Sequence, residues 1–322
     1  SELAKADTGA HCITENPKIE GLTADSRAVK PGYLFAALQG TRSDGRDFIK
    51  DALSRGAAAI LAPAGTCLPA SAKETPMINV DNPRRSLALF ASHYFGRQPR
   101  TAAAITGTNG KSSVAWFTHH IWKRLNHRSA AIGTLGVTTE TADIPNGEGL
   151  TTSDPITLHQ QLRSLADEGI EHVVLEASSH GLEQSRLDGV HLKAGAFTNL
   201  SCDHLDYHGT MDKYRSAKLN LFKHLLPKNS TAVLNSDSSD YAIFESVSKA
   251  RGLKVLCYGK NANEIRIEKI KATPSSQQLS ITLIKLLVLL LTLINILYKI
   301  LIINSTVGHL EDLNMNSMWG KQ

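Results

Sequence analysis

Short apolar runs alternate with amphipathic stretches along most of this chain, and the alternation becomes more regular after residue 100. The first part predicts strands at 32–38 and 57–62 and helices at 48–55 and 86–95. The second part predicts strands at 102–106, 172–176, 194–198, 231–235 and 254–258. Between several of them lie amphipathic helical stretches, at 113–125, 158–168 and 211–226. This alternation predicts an α/β fold in which a parallel sheet carries helices on both faces.

The change of pattern near residue 98 divides the chain into domains. Gly-Arg-Gln-Pro at 96–99 predicts a linker, and 322 residues leave room for two domains with their own cores. We therefore expect an N-terminal α/β domain over 1–98 and a central, mostly parallel-sheet domain over 99–283. Asp-Asn-Pro-Arg at 81–84 precedes a predicted helix, and we interpret it as a helix lead-in.

The last segment, 284–322, departs from this organisation. From 284 to 303 almost every residue is Leu, Ile or Val, and no amphipathic period is visible. A membrane-spanning helix needs ~20 apolar residues, whereas the stretch between Lys285 and Lys299 is shorter and contains Asn295. We interpret this tail as not native to the fold, as a shifted reading frame would produce. A membrane tether remains the alternative.

Composition narrows the classes of partner. With 42% hydrophobic and 20% charged residues, the chain has the balance of a globular protein. Its net charge of +5 is mild, and its basic residues are dispersed without an aromatic stripe, so nucleic acid is not implied. The four cysteines have no metal-binding spacing and indicate reduced thiols. The first nine residues are polar, unlike a signal peptide. We expect a cytoplasmic monomer that binds small molecules, without a nucleic-acid or membrane partner.

A glycine-rich turn follows the predicted strand at 102–106 and precedes a helix. Gly107 and Gly110 allow positive φ and close approach to an anion, and Lys111 supplies a charge for phosphates. The Ser112 hydroxyl suits Mg²⁺. The predicted nucleotide-binding residues are Gly107, Thr108, Asn109, Gly110, Lys111, Ser112 and Ser113. Ile105 stands where the P-loop motif G-x-x-x-x-G-K-[ST] has its first glycine, so an ordinary strand–helix loop is the alternative.

Two further polar segments follow strand ends and are expected to converge on this turn, because ligands bind at the carboxyl ends of parallel strands. Glu176 ends one predicted strand, and His204 lies in the segment after another. With Ser112 they could hold Mg²⁺. The alternatives are a carboxylate that caps the next helix and a solvated loop. By pattern alone, Lys218 is an ordinary surface lysine of the helix predicted at 211–226.

Several long segments, in order, carry a resemblance to a known family. They are residues 25–27, 106–112, 176–182 and 198–209, the last followed by Tyr214 and Lys218. Over about residues 20 to 283, the chain resembles the Mur ligases, and within them the UDP-N-acetylmuramoyl-tripeptide synthetases. The resemblance implies an N-terminal domain that binds the UDP substrate and a central P-loop domain that binds ATP. It implies an ATP-dependent ligase of peptidoglycan synthesis, which adds meso-diaminopimelate or L-lysine to UDP-MurNAc-L-Ala-D-Glu through an acyl phosphate.

The resemblance also implies roles for individual residues. The catalytic positions would be Lys111, Glu176, His204 and Lys218, with Lys218 carbamylated. The Mg²⁺ ligands would be Ser112, Glu176, His204 and the Lys218 carbamate. The UDP end of the substrate would contact Ala24, Ser26, Thr41, Arg42 and Ser43. The muramoyl-peptide would contact Thr151, Thr152, Ser178, Gln184 and Arg186.

Complete members of this family continue with a third domain, which binds the amino acid. We expect that C-terminal ligase domain to be absent here, and the 322-residue chain alone not to complete ligation. Two alternatives stay open. One is a non-catalytic remnant that binds UDP-MurNAc-dipeptide and ATP, and the other is a ligase similar to folylpolyglutamate synthetase. Which diamino acid is used is also open.

Overall fold

The fold is taken from a computed structural model, which describes residues 11–12, 17–40, 43–72, 74–147, 149–272 and 277–283. Two predicted substrate contacts, Thr41 and Arg42, lie outside the described residues. The apolar tail at 284–322 lies outside them as well. Among the helices described, none has both the length and the apolar character needed to cross a bilayer.

The N-terminal part forms a five-stranded sheet with the order β1-β5-β4-β3-β2. Its strands are β1 His11–Cys12, β2 Gly21–Thr23, β3 Tyr33–Ala36, β4 Ala59–Pro63 and β5 Met77–Val80. All neighbours are parallel except β1 and β5. Helix α1 (Ile49–Ser54) and helix α2 (Pro83–Phe95) accompany the sheet. The two faces have separate cores, one around Leu61 and Phe90 and one around Phe35 and Ile60.

The start of α2 confirms the helix lead-in interpreted from Asp-Asn-Pro-Arg. Asn82 is the N-cap residue, and its side-chain oxygen accepts a hydrogen bond from the Arg85 amide at 3.0 Å. Pro83 occupies the first helical turn, where its missing N–H leaves no backbone bond unmade. The helix therefore begins three residues before the predicted position of 86.

The second part forms a ten-stranded sheet, in the order β15-β14-β13-β12-β11-β6-β10-β7-β8-β9. Its strands are β6 Thr101–Thr106, β7 Ser129–Gly133, β8 Gly136–Thr138, β9 Asp143–Ile144, β10 His172–Glu176, β11 Leu192–Phe197, β12 Thr231–Asn235, β13 Lys254–Gly259, β14 Ile265–Ala272 and β15 Gln277–Leu283. The strands from β14 to β7 are parallel, and antiparallel pairs, β14–β15 on one side and β7–β8–β9 on the other, form the two edges.

Helices cover both faces of this sheet, as the alternating pattern predicts. They are α3 Lys111–Arg124, α4 Pro155–Asp167, α5 Ser179–Glu183, α6 Leu205–His208, α7 Met211–Asn220 and α8 Tyr241–Arg251. One face buries Leu162, Phe197 and Phe222, and the other buries Ile105 and Trp122. The helix predicted at 211–226 is α7 followed by a π-helical turn, Leu221–Leu225.

The strand register brings the predicted functional segments to one end of the sheet. Glu176 of β10 is level with Ile105 of β6, and Phe197 of β11 is level with Thr106. The loops that follow these three parallel strands therefore leave the sheet side by side. Ligands of parallel α/β sheets bind at this end of the sheet, next to the carboxyl ends of the strands.

Candidate active site

The turn between β6 and α3, which we call the phosphate loop (residues 106–112), is fixed by hydrogen bonds to the segment that follows β11. Its Thr108 amide donates to the Asn199 carbonyl at 2.9 Å, and the Asn109 amide donates to the Asn199 side-chain oxygen at 3.0 Å. The Thr198 hydroxyl donates to the Asn109 carbonyl at 2.7 Å. The segment after β11 thus clamps the loop. Gly110 precedes α3 with a φ of 85°, in the left-handed region.

Gly107 is needed here for space as well as for conformation. Its φ is 149°, and a Cβ at this position would overlap the Thr198 hydroxyl and lie 3.1 Å from the Asn199 amide nitrogen. Gly110 has no neighbour within 4 Å of such a Cβ, so only its backbone conformation favours glycine.

We therefore expect Gly107→Ala and Gly110→Ala to differ sharply in stability. Gly110→Ala should lower the free energy of unfolding by about 1 kcal/mol, the cost of a left-handed alanine. Gly107→Ala should lower it by about 3 kcal/mol, because overlap with the β11 clamp is added. Urea denaturation of both variants measures this. Equal losses would contradict the steric role of Gly107.

Both lysines predicted to be catalytic bond to the same carbonyl group of the phosphate loop. The Lys111 Nζ donates to the carbonyls of Gly107 at 3.0 Å and Thr108 at 2.8 Å. The Lys218 Nζ donates to the Gly107 carbonyl at 2.9 Å. Burial lowers the pKa of Lys111, against the opposing charges of Glu176 and Asp203. Two amines therefore meet at the position expected to receive a triphosphate.

Lys218 is a buried residue, and the expectation that it lies on the surface was wrong. Only 1% of it is exposed, since α7 packs beneath the phosphate loop. Its Nζ lies 4.4 Å from the centre of the Tyr214 ring, and the Tyr214 hydroxyl is 3.1 Å from the Thr108 hydroxyl. Burial, followed by the neighbouring charge of Lys111, lowers the pKa of Lys218 to about 7. Much of this amine is therefore neutral, and hence nucleophilic, near neutral pH.

This lowered pKa predicts that stability depends on pH. In the unfolded chain Lys218 returns to the ordinary lysine pKa of 10.5, so between about 7 and 10.5 the unfolded state binds more protons. The free energy of unfolding should consequently rise with pH across that interval. Lys218→Met should make the rise less steep, because the variant lacks the buried amine. Urea denaturation at about pH 7 and about pH 9, in CO₂-free buffer, measures both slopes. Identical slopes would contradict the burial of a titrating amine.

Glu176 is the residue around which the oxygen ligands gather. It is 4% exposed, and its Oε2 accepts a hydrogen bond from the Ser112 hydroxyl at 2.9 Å. Thr134, which follows β7, donates its amide to Oε1 at 3.0 Å and its hydroxyl to Oε2 at 3.3 Å. Glu176 does not cap the next helix, because Ser178 is the N-cap residue of α5. Thr134 was missed from the sequence, although it directly follows strand β7.

His204 lies among aromatic rings. It has a left-handed backbone with a φ of 52°, and its Nε2 is 3.5 Å from the Asp203 carboxylate. Its ring centre lies 5.0 Å from that of His180 and 6.2 Å from that of Tyr214. Among the hydrogen bonds of the described residues, none joins His204 to Ser112 or Glu176. The structure thus pairs Ser112 with Glu176, whereas His204, whose side chain is half-exposed, is not hydrogen-bonded to that pair.

The predicted peptide contacts form one hydrogen-bonded network that reaches Glu176. The Thr152 hydroxyl donates to the Glu176 carbonyl at 2.8 Å and accepts from the Ser178 amide at 3.0 Å. The hydroxyl oxygens of Thr151 and Thr134 lie 3.1 Å apart. Arg186 donates to the Thr152 carbonyl at 2.6 Å and to the Gln184 side chain at 2.8 Å. These residues are contiguous with the candidate metal ligands.

The predicted UDP contacts lie on the first sheet instead. Ala24 follows β2 and is exposed, Ser26 is buried in the next 3₁₀ turn, and Ser43 is exposed in the loop after β3. The Ser26 hydroxyl bonds to Asp51 and is the main cause of the lowered pKa of that carboxyl. Ser26 therefore has a structural bond of its own. No hydrogen bond in the described part of the chain connects these three residues with the Glu176 network.

The residues at the sheet edge fit a Mg²⁺ ion in their chemistry. Ser112 and Glu176 supply oxygen atoms of the kind that Mg²⁺ prefers, already 2.9 Å apart. A carbamate on Lys218 would add a carboxylate, and the adjacent Lys111 and loop amides suit phosphate oxygens.

Comparison with known proteins now assigns the family. Residues 105–300 match the Mur ligase middle domain, and residues 18–95 match the catalytic domain of the Mur ligase family. The chain belongs to the Mur ligase family. Among similar Mur ligases is the UDP-N-acetylmuramoyl-L-alanyl-D-glutamate--2,6-diaminopimelate ligase of Bradyrhizobium diazoefficiens, 47% identical over 268 residues. The ligase of the same name from Caulobacter vibrioides is 45% identical over 268 residues.

These relatives are longer than this chain. Each alignment covers 82% of this chain and 54% of the relative, so the chain spans about half the length of the curated relatives it matches. A solved structure of a UDP-N-acetylmuramoyl-L-alanyl-D-glutamate--2,6-diaminopimelate ligase aligns with a TM-score of 0.72 and 28% identity. That alignment covers 82% of this chain and 53% of the solved one. The Mur ligase fold predicted from the sequence is therefore confirmed for the N-terminal and middle domains.

Proposed function

We propose that this chain carries the ATP-binding and substrate-binding parts of a tripeptide-forming Mur ligase. The reaction joins a diamino acid to UDP-MurNAc-L-Ala-D-Glu at the expense of ATP. The observation that carries the proposal is the Ser112–Glu176 pair next to Lys111 and Lys218 at one sheet edge. The names of the relatives favour 2,6-diaminopimelate over L-lysine as the diamino acid.

The phosphate loop and its lysine would bind the triphosphate of ATP. Backbone amides at the start of α3 would bind the phosphates, and Lys111 would exchange its two loop carbonyls for phosphate oxygens. Ser112 and Glu176, with His204 and a Lys218 carbamate, would hold Mg²⁺. When bound, Mg²⁺ neutralises charge on the phosphate oxygens. The buried, partly neutral amine of Lys218 can add CO₂ and lose a proton, which gives the carbamate.

The hydrogen-bonded network of predicted peptide contacts would orient the D-glutamyl carboxylate of the substrate. Thr151, Thr152, Ser178, Gln184 and Arg186 hold the D-glutamyl end beside Glu176. Ala24, Ser26, Thr41, Arg42 and Ser43 hold the UDP end. The D-glutamyl carboxylate attacks the γ-phosphorus of ATP, and the β–γ oxygen bridge breaks to release ADP. The amine of the diamino acid then attacks the acyl carbon, expels phosphate and loses one proton. Catalysis consists mainly of positioning and charge stabilisation.

The remaining parts of the proposal concern organisation. We assign residues 1–98 to UDP-substrate binding and 99–283 to ATP binding, in a cytoplasmic monomer. The presence of two separate sheets supports this division. That the chain alone does not complete ligation stays a prediction.

Calorimetry and mass spectrometry together test this function. The purified chain should bind Mg-ATP and UDP-MurNAc-L-Ala-D-Glu, and the dipeptide substrate should stimulate ADP release. Tripeptide formation is then assayed with meso-diaminopimelate and with L-lysine. Binding of both substrates without ADP release would indicate a non-catalytic binding protein. Failure to bind UDP-MurNAc-L-Ala-D-Glu would contradict the proposal.

A further inference from the structure

Two histidines and a glutamate meet next to the amino end of strand β10, at the end of the second sheet that lies opposite the phosphate loop. His127 follows α3, Glu171 precedes β10, and His172 is the first residue of β10. One ligand atom from each lies within 4.8 Å of the others, and the two imidazole centres are 4.4 Å apart. Within the part of the chain that the structure describes, no other three His, Cys, Asp or Glu residues meet this spacing.

Backbone hydrogen bonds fix the three residues in place. The His127 amide donates to the Trp122 carbonyl at 2.9 Å, which closes the end of α3. The amides of Glu171 and His172 both donate to the Arg128 carbonyl, at 3.0 and 3.1 Å. His172 also pairs with Ser129 of β7 in the sheet register. The cluster is therefore held by the fold itself and needs no side-chain contact to bring it together.

One nitrogen atom of this cluster is buried without a hydrogen-bond partner among the described residues. His172 is 7% exposed, and its Nδ1 is enclosed without a hydrogen-bond partner among the described residues. A buried polar atom left in this way costs about 1–3 kcal/mol. A coordinated ion or a water molecule held by one would remove that cost. This observation is independent of the spacing of the three residues, and it also points to a ligand.

We propose that His127, Glu171 and His172 bind a divalent transition-metal ion. Two imidazoles and one carboxylate suit Zn²⁺, Ni²⁺ or Cu²⁺, whereas Mg²⁺ prefers oxygen ligands alone. Water would fill the remaining positions, because Glu171 is exposed.

The position of the ion gives it a structural role in the active site. Helix α3 begins at Lys111 and ends next to His127, and β10 begins at His172 and ends at Glu176. The ion would thus join the end of α3 to the beginning of β10. The Ser112–Glu176 pair lies at the opposite ends of the same two elements. Because it binds only the folded chain, it should raise the free energy of unfolding as its concentration increases.

Zn²⁺ binding to the whole chain, in excess Mg²⁺, tests the proposal. Calorimetry should find one tight equivalent of Zn²⁺, and His127→Ala and Glu171→Gln should each weaken it by about tenfold or more. His204→Ala is the matched control and should keep the tight equivalent, since His204 lies at the other end of the sheet, after the carboxyl end of β11.

A second measurement reports the ligands directly and does not depend on the stability of a variant. Electron paramagnetic resonance of the Cu²⁺-loaded chain should show nitrogen couplings from two imidazoles, and His127→Ala should reduce them to one. The proposal is wrong if neither His127→Ala nor Glu171→Gln weakens Zn²⁺ binding. It is equally wrong if His204→Ala removes the tight equivalent, because the ion would then bind near the phosphate loop.

Discussion

Replacing Lys218 with alanine should lower the rate of ADP release that depends on UDP-MurNAc-L-Ala-D-Glu by about a hundredfold or more, the effect of losing a preorganised charged group. The buried amine, with its pKa of about 7, is the atom that we expect to carry a carbamate. Without it, one anionic oxygen ligand beside the Ser112–Glu176 pair is lost. Short carboxylic acids added to the variant should restore part of the rate, because they place a carboxylate in the space that the side chain leaves.

The carbamate itself can be observed without catalysis. After incubation with ¹³C-bicarbonate, the wild-type chain should give a carbamate signal in its carbon spectrum, and Lys218→Ala should not. Lys213→Ala is the control, since Lys213 lies on the same helix and is exposed. Full activity of Lys218→Ala without added acid, or an unchanged carbamate signal, would refute the role of Lys218.

Glu176→Gln should weaken the binding of Mg-ATP by about a hundredfold, which corresponds to about 3 kcal/mol for the loss of one charged partner. The substitution keeps the size of the side chain and an oxygen that accepts from the Thr134 amide. The fold should therefore persist, and binding of ATP without Mg²⁺ should change little. Calorimetry with and without Mg²⁺ separates the two effects.

Glu183→Gln is a suitable comparison, because Glu183 is an exposed carboxylate in the helix that follows Glu176. Its affinity for Mg-ATP should match that of the wild-type chain. If Glu176→Gln bound Mg-ATP as tightly as Glu183→Gln does, Glu176 would not be a ligand of the metal.

Two of the central strands could be predicted from the sequence because each contains adjacent large apolar residues. The strands at 172–176 and 231–235 have the predicted bounds. Strand β7 was missed, since Ser-Ala-Ala-Ile-Gly contains one large apolar side chain, although all five residues are buried between neighbouring strands. Helix α8 was missed because Phe244 and Ser248 are its buried residues, and a serine interrupts the apolar period.

The site was predictable only in part, for a related reason. Gly107, Lys111 and Ser112 lie in a local motif, so their spacing alone predicts a phosphate site. Thr134 depends on β7, and its role became visible only with the strand. The burial of Lys218 depends on the packing of α7 under the phosphate loop, which no period within the helix encodes. The pairing of His127 with His172 likewise requires the sheet to form.

Under the proposed function, the Gly107 carbonyl, which accepts from both Lys111 and Lys218, affects how a nucleotide would enter. Before any phosphate arrives, the ammonium of Lys111 is already tied to the carbonyls that border the cradle. Entry is then an exchange of partners, in which each new contact to phosphate replaces an existing one. Affinity for the triphosphate should therefore be moderate. Of the two carbonyl oxygens that Lys111 leaves, that of Gly107 keeps its hydrogen bond from Lys218. Under the proposed function, the phosphate loop should therefore keep its shape when the nucleotide leaves.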